Sequence, residues 1–332
     1  MYRRLFLTAV AVLVLVTTAC STSGGGSSGA VQPKDIKQVT IGFAQRQLDA
    51  PYYSAMVQQA QDIAKQKGFK LLVQNANSDP VTQINQVNTM ISQGADLIVV
   101  DAASPQTEKS QLMQVAKQKP LMFIDTSIPD VGFTAVQSDN AAIGSDAGQL
   151  LAQRMGSGAT ANLAILNGGP TDAIVGPARQ KGFLDGLQQG GVKVNVVASS
   201  SGDYSKDKAV PATENMLSAN SNINVVLGLN DAMALGALDV LQREHKTNVL
   251  VAAAADGQKE ALQAIKKGGC TGEYVSTGLN SPSLATTKTF EIAEQVTTGQ
   301  KKPSDFPPNS YTQAAGIGCK NVDQYYNPSS VF

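Results

Sequence analysis

Carboxylates, carboxamides, one arginine and two tyrosines recur in this sequence just after short apolar runs. Gln45, Arg46, Asp49, Tyr52 and Tyr53 follow the run beginning at Val39, and Asp101 follows a second run. Asp125 and Thr126 follow a third, Asn230 and Asp231 a fourth, Asp256 a fifth and Asn280 a sixth. Planar groups such as Asp, Asn and Arg can bridge two neighbouring hydroxyls at once. An aromatic ring suits the C–H face of the same molecule. Hydroxyls buried in such a site must all be paired, which makes it selective. The expected chemistry is recognition of a polyol, with Asp125 and Asp256 also available in number as a carboxylate pair for glycoside hydrolysis.

Other chemistries lose support from composition. One histidine among 332 residues argues against His-rich metal sites and a Ser-His-Asp hydrolase. His245 lies among Arg243, Glu244 and Lys246, a solvated helix end, and receives no role. Lysine plus arginine equals aspartate plus glutamate at 26 each, so there is no bulk attraction to nucleic acid. No Walker motif is present, and no metal or cofactor is expected.

The elements that must position these groups alternate regularly. Runs at Val39–Ala44, Lys70–Gln74, Asp96–Asp101 and Pro120–Asp125 read as strands, and helices are expected between them from Tyr53, Val81 and Ser104. The rhythm restarts with helices at Asn140–Arg154, Ala178–Gln188, Lys206–Ser218, Asp231–Glu244, Lys259–Lys267 and Pro282–Thr298. Strands are expected between them at Ala161–Leu166, Val194–Ala198, Val225–Leu229, Val249–Ala254 and Cys270–Ser276. This implies α/β architecture with parallel sheets covered on both faces. One sheet of ten or more strands is possible; two sheets fit the usual domain size better. Asp231 is expected to cap its helix, freeing Asn230 for ligand, and Asp139 to be structural.

The N-terminus carries Arg3 and Arg4, an apolar stretch from Leu5 to Val16, then small residues up to Cys20. This is a signal-peptide pattern over residues 1–19, and it resembles a bacterial lipobox with Thr17 in the usual leucine place. Lipidation of Cys20 is expected, with an ordinary cleaved leader as the alternative. The Ser/Gly segment that follows is expected to act as a tether over residues 20–37. Without Arg3 and Arg4 the chain has 24 basic against 26 acidic residues. Cys270 and Cys319 remain, an even pair in an oxidising compartment, to be read as one disulfide or two buried thiols.

Pro51-Tyr52-Tyr53, Asp125, Ser138-Asp139-Asn140, Arg179-Gln180-Lys181-Gly182-Phe183, Asn230-Asp231-Ala232-Met233-Ala234-Leu235-Gly236-Ala237 and Asp256-Gly257 stand in order along the chain. This set resembles the ribose-binding-protein branch of periplasmic sugar-binding proteins over roughly residues 39 to 300. The resemblance implies a type I periplasmic-binding-protein fold: two doubly wound parallel-sheet domains joined by a three-crossing hinge, closing on ligand. Mapped here, residues 38–137 plus 281–309 form the first domain, and residues 138–280 plus 310–326 the second. Cys270 and Cys319 then share a domain, which favours the disulfide.

The resemblance also implies a ligand set: Arg46, Asp49, Tyr52, Tyr53, Asp101, Asp125, Thr126, Arg179, Tyr204, Asn230, Asp256 and Asn280. Arg179, a cation near a helix start, needs a ligand or carboxylate partner there. Three positions depart from the family pattern. Thr126 stands where arginine is usual, Ala255 where an aromatic is common, and Arg46 where an uncharged polar residue is common. A redrawn pocket for a monosaccharide, pentitol or tetritol is implied. The implied role is a monomeric, lipid-anchored solute-binding protein delivering its small polyhydroxylated ligand to ABC permease subunits. The alternatives are a ligand sensor for a membrane receptor and an exported glycoside-acting enzyme.

Overall fold

The computed structural model describes residues 32–170 and 172–332; the expected signal peptide, Cys20 and most of the tether lie outside them. Two six-stranded sheets form, each with helices on both faces. The first contains β1 (Thr40–Gln45), β2 (Lys70–Asn75), β3 (Leu97–Val100), β4 (Leu121–Ile124), β5 (Ala135–Gln137) and β11 (Asn309–Tyr311), in the order β11-β5-β4-β3-β1-β2, all parallel. The second contains β6 (Thr160–Asn167), β7 (Lys193–Ser201), β8 (Val225–Gly228), β9 (Leu250–Ala253), β10 (Tyr274–Gly278) and β12 (Gly316–Gly318), in the order β12-β10-β9-β8-β6-β7, with β12 antiparallel.

Helices α1 (Pro51–Lys67), α2 (Pro80–Ser92) and α3 (Pro105–Gln118) link the first strands. Helices α4 (Asn140–Met155), α5 (Val175–Gln189), α6 (Lys206–Ala219), α7 (Asp231–Arg243) and α8 (Lys259–Gly268) follow, and α9 (Pro282–Thr297) returns to the first lobe. Their starts obey local chemistry. Asp79 accepts from Thr82 N at 2.7 Å with Pro80 in the first turn, and Asp139 accepts from Ala142 N at 3.0 Å. Gly68 ends α1 in the left-handed region.

Strand residues alternate between two cores in the first lobe. Leu97 and Val99 pack beside Phe43 and Phe290, while Ile98 and Val100 pack beside Met90 and Phe123. That alternation follows from the period of two in a strand covered on both faces. In each sheet the strand order reverses at one point, between β1 and β3 and between β6 and β8. Ligand crevices form beyond the carboxyl ends of strands at such points.

The chain crosses between the sheets three times, after β5, β10 and β11. One residue on each crossing joins a buried cluster. Ser138 Oγ donates to Asn280 Oδ1 at 2.8 Å and lies 3.1 Å from Thr312 Oγ1.

Two expectations about segments change. The third crossing, expected at 309–310, comes later: Ser310 and Tyr311 pair with Val136 and Gln137 of β5, and Ser310 Oγ lies 3.2 Å from Thr134 Oγ1. The strand expected at Cys270–Ser276 starts only at Tyr274, because Gly269–Thr271 forms a 3-10 turn with Gly269 at φ 57°.

That turn carries Cys270, which is bonded to Cys319 with 5.1 Å between Cα atoms. The bridge ties β12 and the tail to the end of α8. The tail then runs back along α8. Lys266 Nζ pairs with Asp323 and Lys259 Nζ donates to Ser330 O (2.6 Å), and the Phe332 ring ends 5.4 Å from Tyr52 of the first lobe. With a separation of 49 residues, Cys270→Ser plus Cys319→Ser is expected to cost roughly 3–4 kcal/mol in urea unfolding. An unchanged unfolding midpoint would remove the bridge from the stability account.

Candidate functional site

The second lobe supplies a buried, fully paired set. Arg179 is 5% exposed on the first turns of α5. Its Nε donates to Asn140 Oδ1 (2.8 Å), its Nη1 to Leu229 O (3.1 Å), and its Nη2 lies 3.2 Å from Asp256 Oδ1. Burial works most strongly against its charge, but Asp256 together with Tyr204, Asp125 and Tyr52 outweighs burial, and the guanidinium pKa is raised. The carboxylate partner that a cation at a helix start requires is therefore Asp256. Burial raises the Asp256 pKa, with Arg179 opposing. Asn280 Nδ2 donates to Asp256 Oδ1 at 3.0 Å, so one amide joins the hinge cluster to the site. The Tyr204 ring centroid lies 6.0 Å from Arg179 Cζ, and its hydroxyl donates to Asp172 Oδ2.

The first lobe faces it. The Tyr52 hydroxyl sits between Asp125 Oδ1 (3.0 Å) and Asn280 Oδ1 (3.1 Å). Asp125 has φ 58°, a left-handed conformation that costs a non-glycine residue energy and recurs at functional sites. Arg46 Nη1 donates to Thr126 Oγ1 (3.3 Å), and its Cζ lies 5.7 Å from the Tyr53 ring centroid. A guanidinium thus approaches position 126 from a different loop, and the Thr126 and Arg46 departures belong together. Asp101 is fully buried. Its Oδ1 accepts from Thr126 N at 3.4 Å, while its Oδ2 has no partner. Burial first, then the Asp125 charge, pushes its pKa well up.

Eleven of the twelve expected ligand residues line these two facing sets or adjoin them. Asp49 does not: it is exposed on the loop before α1, outside the cluster. Asn230 and Asp231 exchange their expected roles in part. Asn230 Oδ1 caps α7 by accepting from Met233 N (3.0 Å), while its Nδ2 reaches Tyr204 O (3.4 Å). Asp231 instead accepts from the N–H groups of Asp256, Gly257 and Gln258 at 3.2, 2.7 and 2.6 Å, and from the Tyr274 hydroxyl at 2.6 Å. It therefore fixes the loop that carries Asp256.

A family model for the periplasmic binding protein domain matches residues 41–301. The chain belongs to this family. It is 29% identical to the ribose import binding protein of Bacillus subtilis over 294 residues, covering 87% of this chain and 91% of that one. It is also 29% identical to the xylitol-binding protein of Mycolicibacterium smegmatis over 250 residues, covering 73% and 68%. A solved ABC transporter solute-binding protein from Mycobacterium smegmatis with bound glycerol superposes with a TM-score of 0.76 at 26% identity, covering 88% of this chain and 98% of that one.

Sequence reasoning missed several supports of this periplasmic binding protein's cleft. Gln83 is fully buried and braces the ends of β1 and β3, donating to Ala44 O (3.2 Å) and Asp101 O (2.9 Å) and accepting from Ala103 N (2.9 Å). Nothing local in the sequence marks it except a polar residue on the inner face of an amphipathic helix. Asn140 was visible in the Ser-Asp-Asn motif but not as the holder of Arg179.

Buried carboxyls give this protein a pH signature. Burial lifts Glu108 from 4.5 to about 7 and Asp231 from 3.8 to about 6. Between the unfolded and folded values the native state binds more protons, so stability falls as pH rises through that window. The urea midpoint of the unliganded protein is expected to drop from pH 5 to pH 7.5, with a shallower drop in Glu108→Gln. A midpoint rising over that range would contradict these assignments.

Proposed function

We propose that this protein captures a small polyol, a monosaccharide or a sugar alcohol of four or five carbons, between its lobes and delivers it to an ABC-type permease. The mature chain is held to the outer face of the cytoplasmic membrane through lipid on Cys20. It acts as a monomer. The observation that carries this reading is the facing arrangement of Arg179, Asp256 and Asn280 against Asp125 and Tyr52. These are planar or hydroxyl groups, all buried but the half-buried Asp125, and already oriented, as adjacent hydroxyls require.

Binding here is a shift between open and closed lobes, and closure presents a changed surface to the transporter. The shared Asn280 supports this coupling, because it touches the hinge cluster and Asp256 at once. The relatives named for ribose and xylitol, and the glycerol-bound structure, support the ligand class. Arg46, Tyr53, Asp101, Thr126, Tyr204 and Asn230 complete the site in this reading, and Cys270–Cys319 stiffens the second lobe.

A thermal-shift screen of D-ribose, D-allose, xylitol, erythritol, glycerol and myo-inositol tests the proposal. A ligand that binds only the folded state raises the melting temperature in step with its concentration over Kd. At least one should raise it in a saturable manner. No shift with any of them at millimolar concentration would reject the ligand class.

A further inference from the structure

Two aromatic rings meet the Tyr52 ring edge-on. Tyr53, its neighbour on α1, lies 5.5 Å away at 90°, and Phe332 lies 5.4 Å away at 77°. Tyr53 belongs to the same lobe. Phe332 belongs to a segment that is otherwise fastened to the second lobe.

Those fastenings can be followed along the chain. Cys319 is bonded to Cys270, and Tyr325 and Tyr326 pack on the second-lobe core. Lys266 Nζ pairs with Asp323 and stands 5.3 Å from the Tyr326 ring centroid. Lys259 Nζ, at the start of α8, then donates to Ser330 O at 2.6 Å. Two residues later the Phe332 side chain packs on the first-lobe core that contains Tyr52. The three crossings all precede β12, so this contact is a further link between the lobes. Local turn chemistry aims the ring. The Ser329 N–H donates to Asn327 Oδ1 (2.9 Å), the Ser330 N–H to Asn327 O (3.0 Å) and the Phe332 N–H to Ser330 Oγ (3.3 Å).

The Tyr52 hydroxyl needs such a hold. It has one proton and faces two acceptors, Asp125 Oδ1 at 3.0 Å and Asn280 Oδ1 at 3.1 Å. Asp125 ends a first-lobe strand, and Asn280 stands on the crossing after β10. A swing of the ring would move the hydroxyl off both. Edge-to-face neighbours on the ring oppose that swing.

We infer that Phe332 is a positioning residue for polyol binding: reaching over from the second lobe, its ring holds Tyr52 so that the hydroxyl stays between Asp125 and Asn280. This rests on the polyol-binding reading above and extends it to a residue beyond the span of the resemblance.

The test is a double-mutant cycle of Phe332→Ala and Tyr52→Phe, read by calorimetry with D-ribose and xylitol as probes. Tyr52→Phe keeps the ring contact and removes the hydroxyl. Phe332→Ala is expected to weaken the better probe about fivefold, while Phe332→Tyr, which keeps a ring, binds like the parent. In the Tyr52→Phe background the same Phe332→Ala change should cost less than about twofold, because the hydroxyl it positions is gone. Unchanged affinity in Phe332→Ala would overturn the inference. Equal losses in both backgrounds would also overturn it, since they mark packing that does not act through the hydroxyl. Where Tyr52→Phe alone abolishes binding, tyrosine ring NMR of the unliganded protein decides: the Tyr52 ring should flip faster in Phe332→Ala than in the parent, and an equal rate would overturn the inference. Asn230→Ala serves as the control for the site itself. If it abolishes binding while Phe332→Ala binds normally, only this inference fails. If neither probe binds the parent, the polyol reading fails and the inference falls with it.

Discussion

Arg179→Met is expected to abolish ligand binding and to cost about 3–5 kcal/mol of stability. The side chain is 5% exposed and serves Asn140, Leu229 O and Asp256 together. Removing it leaves the Asp256 carboxylate buried without its cation, which is the expensive half of breaking a buried pair. Methionine fills much of the space, so the loss reports electrostatics more than a cavity. Arg179→Lys should recover only a small part, because an ammonium cannot reproduce three directed contacts from a planar fork. Urea unfolding and calorimetry together check this. A variant as stable as the parent that still binds would remove Arg179 from the account.

Gly182→Ala is expected to destabilise by roughly 1–3 kcal/mol, at the upper end of that range. Helix propensity predicts the reverse, since alanine is better than glycine in a helix by about 1 kcal/mol. Packing should win here. A Cβ on Gly182 would stand 2.1 Å from Ala141 O, and one on Gly186 2.2 Å from Ser145 O. On the facing helix, a Cβ on Gly144 would stand 2.5 Å from Arg179 O and one on Gly148 2.2 Å from Phe183 O. The obstructing atoms are backbone carbonyls, which cannot swing aside as a flexible side chain can. Helices α4 and α5 must separate, and they carry Asn140 and Arg179. Weaker ligand binding should therefore accompany the lost stability. A stabilised Gly182→Ala protein would show that the helices separate at little cost.

Much of the architecture was legible because its elements are long and strongly patterned. Every expected helix is present within a few residues, and paired starts such as Asp79-Pro80 and Ser281-Pro282 lie where capping chemistry puts them. The strands β5, β11 and β12 were not legible. Each has three residues, too few to show a period of two, and each is held by partners far along the chain. The same limit moved the third crossing, since only pairing with β5 keeps Ser310 and Tyr311 in the first sheet.

The candidate site was legible where chemistry follows position at a strand end, as for Asp125 and Asp256, and where a cation at a helix start calls for a carboxylate, as for Arg179. It failed where neighbours in sequence point different ways. Asp49 stands on the loop and Tyr52 at the start of the helix that follows it, yet one is exposed and the other buried. Asn230 and Asp231 are adjacent, but the turn of α7 directs one to cap the helix and the other under the Asp256 loop.

Titration calorimetry of the parent protein against the polyol panel, with Asp256→Ala measured beside it, decides whether this cleft holds a polyol without turning it over. One saturable site is expected for at least one free sugar or sugar alcohol, lost in Asp256→Ala, with the ligand recovered unchanged afterwards. No heat from any panel member, equal binding by Asp256→Ala, or recovery of a hydrolysed or rearranged ligand would contradict it.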